Sequence, residues 1–282
     1  MPYVRGKRWI DTLALGINLA FWLPRRWWWQ WRLGSRTAAW KKLMERPHYH
    51  WSRWPVSLKG RWFRLPTGIY ADEAGLIWSI AQKQGDRFPS HWLKKLSTSE
   101  VGMDIGAHRG YWTLTYARNA PTLQQVFLFE PHPENYAYLL QNLARNHFSQ
   151  AIPLPYAVWN KPTRLELRAQ PAQTEHASFG FTVTEKSTGS IPATSADAFV
   201  KALAVKRLDW IKIDAEGAEV AIVEGAQETL QTLRPTLWME IHDTWEEIEK
   251  KLHAVGYVIR EAIRHRSEGP YKETGYLWAE PA

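Results

Sequence analysis

Short apolar runs alternate with amphipathic stretches from residue 101 to the end of the chain. The apolar runs have the length of β-strands, and the stretches between them repeat apolar residues at helical spacing, so an α/β fold with a mostly parallel sheet is predicted. The predicted strands are 101–105, 125–130, 151–158, 208–214, 236–241 and 256–263, with 276–279 returning antiparallel as the seventh. The predicted helices are 110–119, 134–146, 195–204, 244–254 and a single helix whose inner face carries Ala218, Ala221, Ile222, Gly225 and Ala226.

Segments outside this alternation predict additions to the sheet. Residues 160–194 are longer than one crossover needs, and 164–168 and 179–184 alternate like strands, which predicts a small antiparallel insertion. Upstream of the sheet, 61–65 is typical of a strand, and 72–82 and 89–97 are typical of helices.

An acid, two glycines and a second acid follow one another around the first two predicted strands. Asp104 ends the first strand, Gly106 and Gly110 follow it, and Glu130 ends the second strand 20 residues beyond Gly110. Glycine permits close backbone approach, and an acid at the end of the second strand is placed to bind ribose hydroxyls. The spacing does not fit the G-x-G-x-x-G turn of NAD enzymes, and a leading acid suits a cofactor with an ammonium group and no pyrophosphate, which favours S-adenosylmethionine. The ordered series disfavours the alternative, a structural turn in another α/β fold.

Three motifs stand in order through the middle of the chain. They are Asp104-Ile-Gly-Ala-His-Arg-Gly110, Phe129-Glu-Pro-His-Pro-Glu-Asn135 and Ile211-Lys-Ile-Asp-Ala-Glu-Gly-Ala-Glu219. Together they resemble the FkbM family of class I S-adenosylmethionine methyltransferases, over roughly residues 98–242, although that family usually has Asn where this chain has His108. The resemblance implies a Rossmann-like class I methyltransferase fold, with a seven-stranded, mostly parallel sheet and helices on both faces. It also implies methyl transfer, commonly to a hydroxyl oxygen.

Candidate cofactor residues follow from the rule that ligands of such sheets bind beyond the carboxyl ends of the strands. Asp104 and the turn after it, with Gly106, Ala107, His108 and Gly110, are expected to face the methionine moiety. Glu130 is expected to hold the ribose. Ala157, near the end of the third strand, is expected to border the adenine, and Asn135 is carried over from the family motif, with capping of the next helix as its alternative role.

Candidate catalytic residues lie at the ends of the fourth and fifth strands. The candidates for the group that removes a proton from the acceptor are Asp214, Glu216, Glu240 and His242, and an unperturbed histidine pKa of about 6.5 suits that role. Asp214 and Glu240 end strands expected to be neighbours, so they form a candidate Mg²⁺ site. The alternatives are that His242 has a capping or supporting role and that Asp214 and Glu216 organise the start of the next helix.

Two signals weigh against a nucleic acid acceptor. Amino-methylating nucleic acid enzymes resemble one another by an [Asp/Asn]-Pro-Pro-aromatic motif after the fourth strand, where this chain has Asp214-Ala-Glu-Gly217. Ribose-methylating RNA enzymes often have a lysine near the end of the fifth strand, where this chain has Glu240-Ile-His242. The expected acceptor is therefore a hydroxyl of a sugar, glycan, lipid-linked molecule or natural product. A nucleic acid methyltransferase and a non-catalytic, membrane-associated binding protein on the same scaffold are the alternatives.

Charge divides the chain into two predicted regions. Residues 1–66 contain 14 Lys and Arg against two acids, a balance of +12, whereas the remainder has 22 Lys and Arg against 26 acids, a balance of −4. Ten of the 18 tryptophans also lie in 1–66. This predicts a basic, Trp/Arg-rich helical extension over 1–66 and a catalytic domain over 67–282. The chain has no cysteine, which excludes disulfides, thiolate metal sites and cysteine nucleophiles.

The N-terminal extension has the composition of a membrane-surface segment. Residues 9–23 are mostly apolar but are shorter than the roughly 20 residues that span a bilayer. Tryptophans and arginines interleave after this run, at Arg25, Arg26, Trp27, Trp28, Trp29, Trp31 and Arg32. Peripheral membrane contact through residues 1–40 is therefore expected, with the protein in the cytoplasm at the inner face of the membrane. A helical arm packed on the catalytic domain is an equal alternative, and nucleic acid binding ranks third.

Overall fold

The computed structural model describes residues 5–6, 62–65, 68–72, 75, 90–118, 120–169, 181–186, 188–266 and 271–282. The chain divides into two compact units, Met1–Asp86 and Arg87–Ala282. The boundary that the charge pattern predicts, between 66 and 67, falls within the first unit. Apart from residues 5–6, the predicted membrane segment 1–40 lies outside the described residues, as does most of the predicted helix 72–82.

The first unit contains a small antiparallel sheet. Its strands are β1 (Arg5–Gly6), β2 (Trp62–Arg64) and β3 (Tyr70–Asp72), and they are ordered β1-β2-β3. β2 confirms the strand predicted near 61–65. Phe63 of β2 pairs with Ala71 of β3, and both side chains are buried.

The second unit is an α/β domain in which strands and helices alternate. Its first half contains α1 (Ser90–Leu96), β4 (Val101–Ile105), a π-helical turn (Thr113–Ala117), β5 (Gln125–Phe129), α2 (Pro133–Arg145), β6 (Ala151–Leu154), β7 (Ala157–Val158), β8 (Thr163–Ala169), β9 (Phe181–Glu185) and β10 (Ile191–Thr194). Its second half contains α3 (Ala196–Ala202), β11 (Trp210–Ile213), α4 (Glu219–Glu224), α5 (Gln227–Thr232), β12 (Thr236–His242), α6 (Trp245–Ala254), β13 (Tyr257–Arg266) and β14 (Glu273–Pro281). No helix among these described elements is long and apolar enough to cross a membrane.

A seven-stranded sheet forms the centre of this unit, in the order β13-β14-β12-β11-β4-β5-β6. All neighbouring strands are parallel except where β14 pairs with β12 and β13. The predicted seven-stranded, mostly parallel sheet with a returning last strand is therefore confirmed. The strand order reverses between the parallel strands β4 and β11, because β5 and β6 follow on one side of β4 and the later strands lie on the other side. Open α/β sheets bind ligands at such a position.

The two faces of the sheet bury different side chains, because alternate residues of a strand point to opposite faces. Ile211 and Ile213 belong to a mixed aliphatic and aromatic core that includes Ile222 of α4 and Ile248 of α6. The opposite face carries a cluster of tryptophans. The Trp112 ring lies 5.6 Å from that of Trp210 and 5.9 Å from that of Trp238, and Trp92 of α1 lies 6.3 Å from Trp278 of β14. Segments on both faces therefore cover the sheet, as predicted.

The predicted insertion is confirmed as a four-stranded sheet of order β7-β10-β8-β9, in which β8 pairs antiparallel with both of its neighbours. One boundary prediction was wrong, because the third strand does not run from 151 to 158. It leaves the main sheet after Leu154, passes through exposed Pro155 and Tyr156, and enters the small sheet, where Ala157 pairs with Ala193.

Two predicted helices are also interrupted. The segment predicted as helix 110–119 forms a π-helical turn at its centre. The single helix predicted after the fourth strand is divided into α4 and α5 by Gly225 and Ala226. A Cβ at Gly225 would lie 2.2 Å from the carbonyl oxygen of Trp159. Only glycine therefore fits here, where the helix backbone packs closely against the insertion. The predicted inner positions Ala218, Ile222 and Ala226 are nevertheless buried.

Candidate active site

Four parallel strands end at one edge of the seven-stranded sheet, and most of the predicted site residues lie there. β4, β5, β11 and β12 run in the same direction, so their carboxyl ends share that edge. Asp104 lies near the end of β4, Glu130 and Asp214 directly follow β5 and β11, and His242 is the last residue of β12. The structure therefore brings these four residues to the same edge.

The turn after β4 is fitted between the ends of β5 and β11. The backbone amides of Gly106 and Ala107 donate hydrogen bonds of 3.0 and 2.9 Å to the carbonyl oxygen of Phe129. On the other side, a Cβ at Gly106 would lie 1.9 Å from the carbonyl oxygen of Asp214. Gly106 also has φ +78°, so glycine is required here both for backbone conformation and for space.

The rest of the turn connects to the end of β5. Gly110 has φ +80°, and its amide donates to the carbonyl oxygen of Ala107 over 2.8 Å, which closes the turn. His108 also has a positive φ of 51°, and its amide donates a 2.7 Å hydrogen bond to Oε2 of Glu130. Burial and the neighbouring Arg109 lower the pKa of the His108 imidazole to about 3, so the ring is neutral at neutral pH.

Glu130 is a buried carboxylate surrounded by donors. Besides the His108 amide, the His132 amide donates to Oε1 over 2.8 Å, and the Asn135 side chain donates a further hydrogen bond. Burial raises the pKa of Glu130 to about 7 even though these bonds lower it. His132 rather than Asn135 caps α2, because its Nδ1 accepts from the Asn135 amide at 3.4 Å. Asn135 therefore supports Glu130 directly.

Lys212 is a site residue that the sequence analysis missed. Its side chain is 3% exposed, and its Nζ lies 3.1 Å from Oδ1 of Asp104 and 3.4 Å from Oδ2 of Asp214. The same Nζ donates a 2.9 Å hydrogen bond to the carbonyl oxygen of Gly106. Burial lowers the pKa of Lys212, but the two aspartates more than offset this and raise it, so the group is a cation. Lys212 thus holds the ends of β4 and β11 and the glycine turn together.

A second ionic group lies at the end of β12. Nδ1 of His242 is 2.9 Å from Oε1 of Glu219, the first residue of α4, and Nε2 is 3.8 Å from Oε2 of Glu216. Burial lowers the pKa of His242, but the hydrogen bond and charge of Glu219, followed by the charges of Glu216 and Glu240, raise it to about 9. The Tyr271 ring packs against His242 with a centroid distance of 4.6 Å, a contact that the sequence did not predict.

The metal prediction is not matched in its choice of residues. Among the described residues, the group with suitably placed ligand atoms is Asp214, Glu216 and His242, whose atoms lie within 4.8 Å of one another. Glu240 is not part of it, and its Oε1 accepts a 3.4 Å hydrogen bond from the hydroxyl of Tyr276. Mg²⁺ prefers oxygen ligands, whereas this group offers one imidazole nitrogen and two carboxylates that are about one third exposed. We therefore assign no metal to this cluster.

Comparison with known proteins matches residues 104–261 to the methyltransferase FkbM domain. The hexuronic acid methyltransferase AglP of Haloferax volcanii is 26% identical over 167 residues, which are 59% of this chain and 66% of that protein. The chain thus spans just under two thirds of the length of this relative.

Solved structures with similar folds include a methyltransferase FkbM from Methylobacillus flagellatus, with a TM-score of 0.44 and 16% identity over 64% of this chain and 44% of that one. Another is TrmK of M. capricolum in complex with S-adenosylhomocysteine, with a TM-score of 0.42 and 12% identity over 68% of each chain. The matched domain model covers more than half of the chain, from Asp104 past His242, and includes the glycine turn and all four strand ends. The chain therefore belongs to the methyltransferase FkbM domain family.

Proposed function

We propose that this methyltransferase transfers the methyl group of S-adenosylmethionine to a hydroxyl oxygen of a sugar or glycan. One observation carries the proposal: the glycine turn is held between Glu130 and Asp214, and His242 lies at the same edge of the sheet. On this proposal the cofactor-binding turn after β4 and a titratable histidine at the end of β12 lie at one edge of the sheet, which suits methyl transfer to a hydroxyl.

The residues of the turn fit S-adenosylmethionine. Gly106 leaves bare backbone between two strand ends, and a Cβ there would fill the space. Asp104, Lys212 and Asp214 carry a net charge of −1, which suits a cofactor whose ammonium and sulfonium outweigh its carboxylate. Glu130 offers carboxylate oxygens to ribose hydroxyls, with Asn135 supporting it. When bound, the cofactor supplies an electrophilic methyl group and leaves as a neutral thioether.

The remaining cofactor assignments follow the same edge of the sheet. Ala107, His108 and Gly110 would line the methionine moiety, since they complete the turn that begins at Gly106. Ala157 would border the adenine from the insertion, because the chain passes from β6 into β7 just beyond the edge. Its buried position leaves its small side chain only a packing role.

The acceptor side is built from His242, Asp214 and Glu216. His242 would take the hydroxyl proton, a role that contributes about 10²–10⁴-fold to rate in enzymes. The side chains of Asp214 and Glu216 are about one third exposed, at 32% and 34%. Their carboxylates can therefore accept hydrogen bonds from the hydroxyl groups of the sugar. Holding the hydroxyl in line with the methyl group would supply a large further share of the rate.

A sugar is favoured as the acceptor class because the relative at 26% identity is named as a hexuronic acid methyltransferase. The nucleic acid alternative lacks its sequence signals, since Asp214-Ala-Glu-Gly217 replaces the proline-containing motif.

Two measurements test the proposal on the full chain. Calorimetry should detect binding of S-adenosylmethionine and S-adenosylhomocysteine but not of NAD. Mass spectrometry, after incubation with methyl-labelled cofactor, should detect labelled product from a panel of uronic acid, neutral and amino sugar glycosides. Binding without any labelled product would favour the non-catalytic alternative, and labelling of RNA alone would favour the nucleic acid alternative.

A further inference from the structure

Glu219 is a buried carboxylate to which the proposed function gives no role. It is 0% exposed, and a charge removed from water must be compensated by close partners. Its Oε1 accepts hydrogen bonds from the Gly217 amide and from Nδ1 of His242, both at 2.9 Å, and its Oε2 accepts a 3.4 Å bond from the Thr244 hydroxyl. Glu219 thus connects the turn after β11 to the end of β12.

The contact with Glu219 fixes the state of the His242 ring. A carboxylate can only accept, so Nδ1 of His242 must carry the hydrogen of this bond. When the ring is neutral, its lone pair is therefore on Nε2, the atom that lies 3.8 Å from Glu216. His242 itself is only 5% exposed, and the Tyr271 ring against it further limits its rotation.

We infer that Glu219 is a positioning residue that holds His242 with Nε2 directed to the acceptor hydroxyl and stabilises the imidazolium formed there. This inference rests on the proposed function and deepens it. The hydroxyl proton would pass to Nε2, and the oxygen would use the freed electron pair to bond the methyl carbon. The bond between that carbon and the sulfur of the cofactor would break, with its electron pair left on sulfur as a neutral thioether. The positive charge gained by the ring then faces the buried carboxylate across the Nδ1 hydrogen bond.

The charged neighbours of His242 set the pH at which it acts. Three carboxylates face it, from Glu219 of α4, Glu216 of the preceding turn and Glu240 of its own strand, and Tyr271 packs on the ring. Because they raise the pKa of His242 to about 9, the neutral form becomes more abundant as pH rises towards that value. Activity is therefore expected to increase with pH from neutrality to about pH 9.

A purely structural role for Glu219 makes different predictions. Glu219→Gln keeps the size of the side chain and an acceptor oxygen for the Gly217 amide, but removes the charge. If Glu219 only closes the turn, this variant should leave the pKa of His242 and the pH profile unchanged. Glu224→Gln is the matched control, because Glu224 ends the same helix and makes a surface ion pair with Lys251 at 2.8 Å.

The first measurement needs no acceptor. In ¹⁵N-histidine-labelled full-length protein with bound S-adenosylhomocysteine, the His242 signal is identified by its loss in His242→Gln and followed through a pH titration by NMR. Its midpoint should be near 9 in the unchanged protein and in Glu224→Gln, and should fall by at least about one pH unit in Glu219→Gln. An unchanged midpoint in Glu219→Gln would overturn the inference.

The second measurement uses methyl glucuronide as the acceptor probe. Glu219→Gln should lower kcat about 100-fold, with KM for the probe changed less than about threefold, and should move the rising limb of the pH profile to lower pH. Glu219→Asp should restore part of kcat, and adding Glu219→Gln to His242→Gln should cost little more. If the two substitutions lower kcat independently, so that the loss in the double variant is the product of the two single losses, the inference is overturned. A probe that the unchanged protein does not methylate counts against the proposed acceptor alone, because the titration still decides the role of Glu219.

Discussion

Replacing Lys212 by methionine is expected to destabilise the domain formed by residues 87–282. The substitution keeps the length of the side chain but removes the cation that lies 3.1 Å from Asp104, a residue that is 0% exposed. Asp104 then keeps the Thr113 hydroxyl as a hydrogen-bond donor, but its charge loses its buried counterion. The Gly106 carbonyl also loses its 2.9 Å donor.

The expected cost follows from which of these charges can reach water. Removing one partner of a buried ion pair costs about 3–5 kcal/mol, since the other charge is left uncompensated. Asp214 adds little, because its side chain is 32% exposed and can be hydrated. In a domain of this size each kcal/mol shifts Tm by about 2–4 °C, so a decrease in Tm of about 6–20 °C is expected for Lys212→Met.

The assay is calorimetric or denaturant unfolding of the full chain with two comparison variants. Lys251→Met breaks a surface pair with Glu224 and should cost about 1 kcal/mol or less. Adding Asp104→Asn to Lys212→Met should recover at least about 2 kcal/mol, because the stranded charge is removed. A cost below about 1 kcal/mol for Lys212→Met, or no recovery in the double variant, would refute the assignment of Lys212 as the buried counterion.

Three further variants test the cofactor site and the N-terminal extension. Glu130→Gln should weaken S-adenosylmethionine binding about tenfold or more. In the unchanged protein, the affinity for S-adenosylmethionine should fall about tenfold from about pH 8 to about pH 6, because burial raises the pKa of Glu130 to about 7 and only its ionised form accepts hydrogen bonds from both ribose hydroxyls. An affinity that calorimetry finds to be independent of pH would contradict this. Gly106→Ala should abolish cofactor binding, since the added carbon would lie 1.9 Å from the carbonyl oxygen of Asp214. Unchanged affinity in this variant would disprove the assignment of the turn after β4 to cofactor binding. Charge reversal at Arg25, Arg26 and Arg32 should weaken binding of the full chain to anionic liposomes by about 1 kcal/mol for each of these residues that contacts the surface, measured by flotation. If the unchanged protein never floats with the liposomes, membrane contact is ruled out.

The strand ends were predictable from sequence because each is marked locally. Asp104, Glu130, Asp214 and His242 each stand at the end of an apolar run, and parallel strands bring such positions to one edge. Lys212 carried only a weak signal, as the one charged residue in the otherwise apolar β11. Its pairing with Asp104 depends on the register between β11 and β4, which the sequence does not specify.

Contacts between distant segments account for what the sequence could not predict. Glu219 and His242 are 23 residues apart, and their pairing requires α4 to begin beside the end of β12. The break between α4 and α5 has a similar origin, because Gly225 is compatible with a continuous helix until Trp159 of the insertion packs against it. The division of the third strand after Leu154 likewise depends on pairing between Ala157 and Ala193.

The position of β13 at one margin of the seven-stranded sheet has a consequence for behaviour at high concentration. An outer strand exposes unpaired amide and carbonyl groups that can recruit a strand from another molecule. In β13, however, exposed positions include Arg260, Arg264 and Arg266, and the pairing register shifts between Ile259 and Glu261. Hydrated charges and an irregular backbone both oppose the addition of a straight strand. Aggregation by pairing of this edge strand with a strand of another molecule is therefore expected to be suppressed.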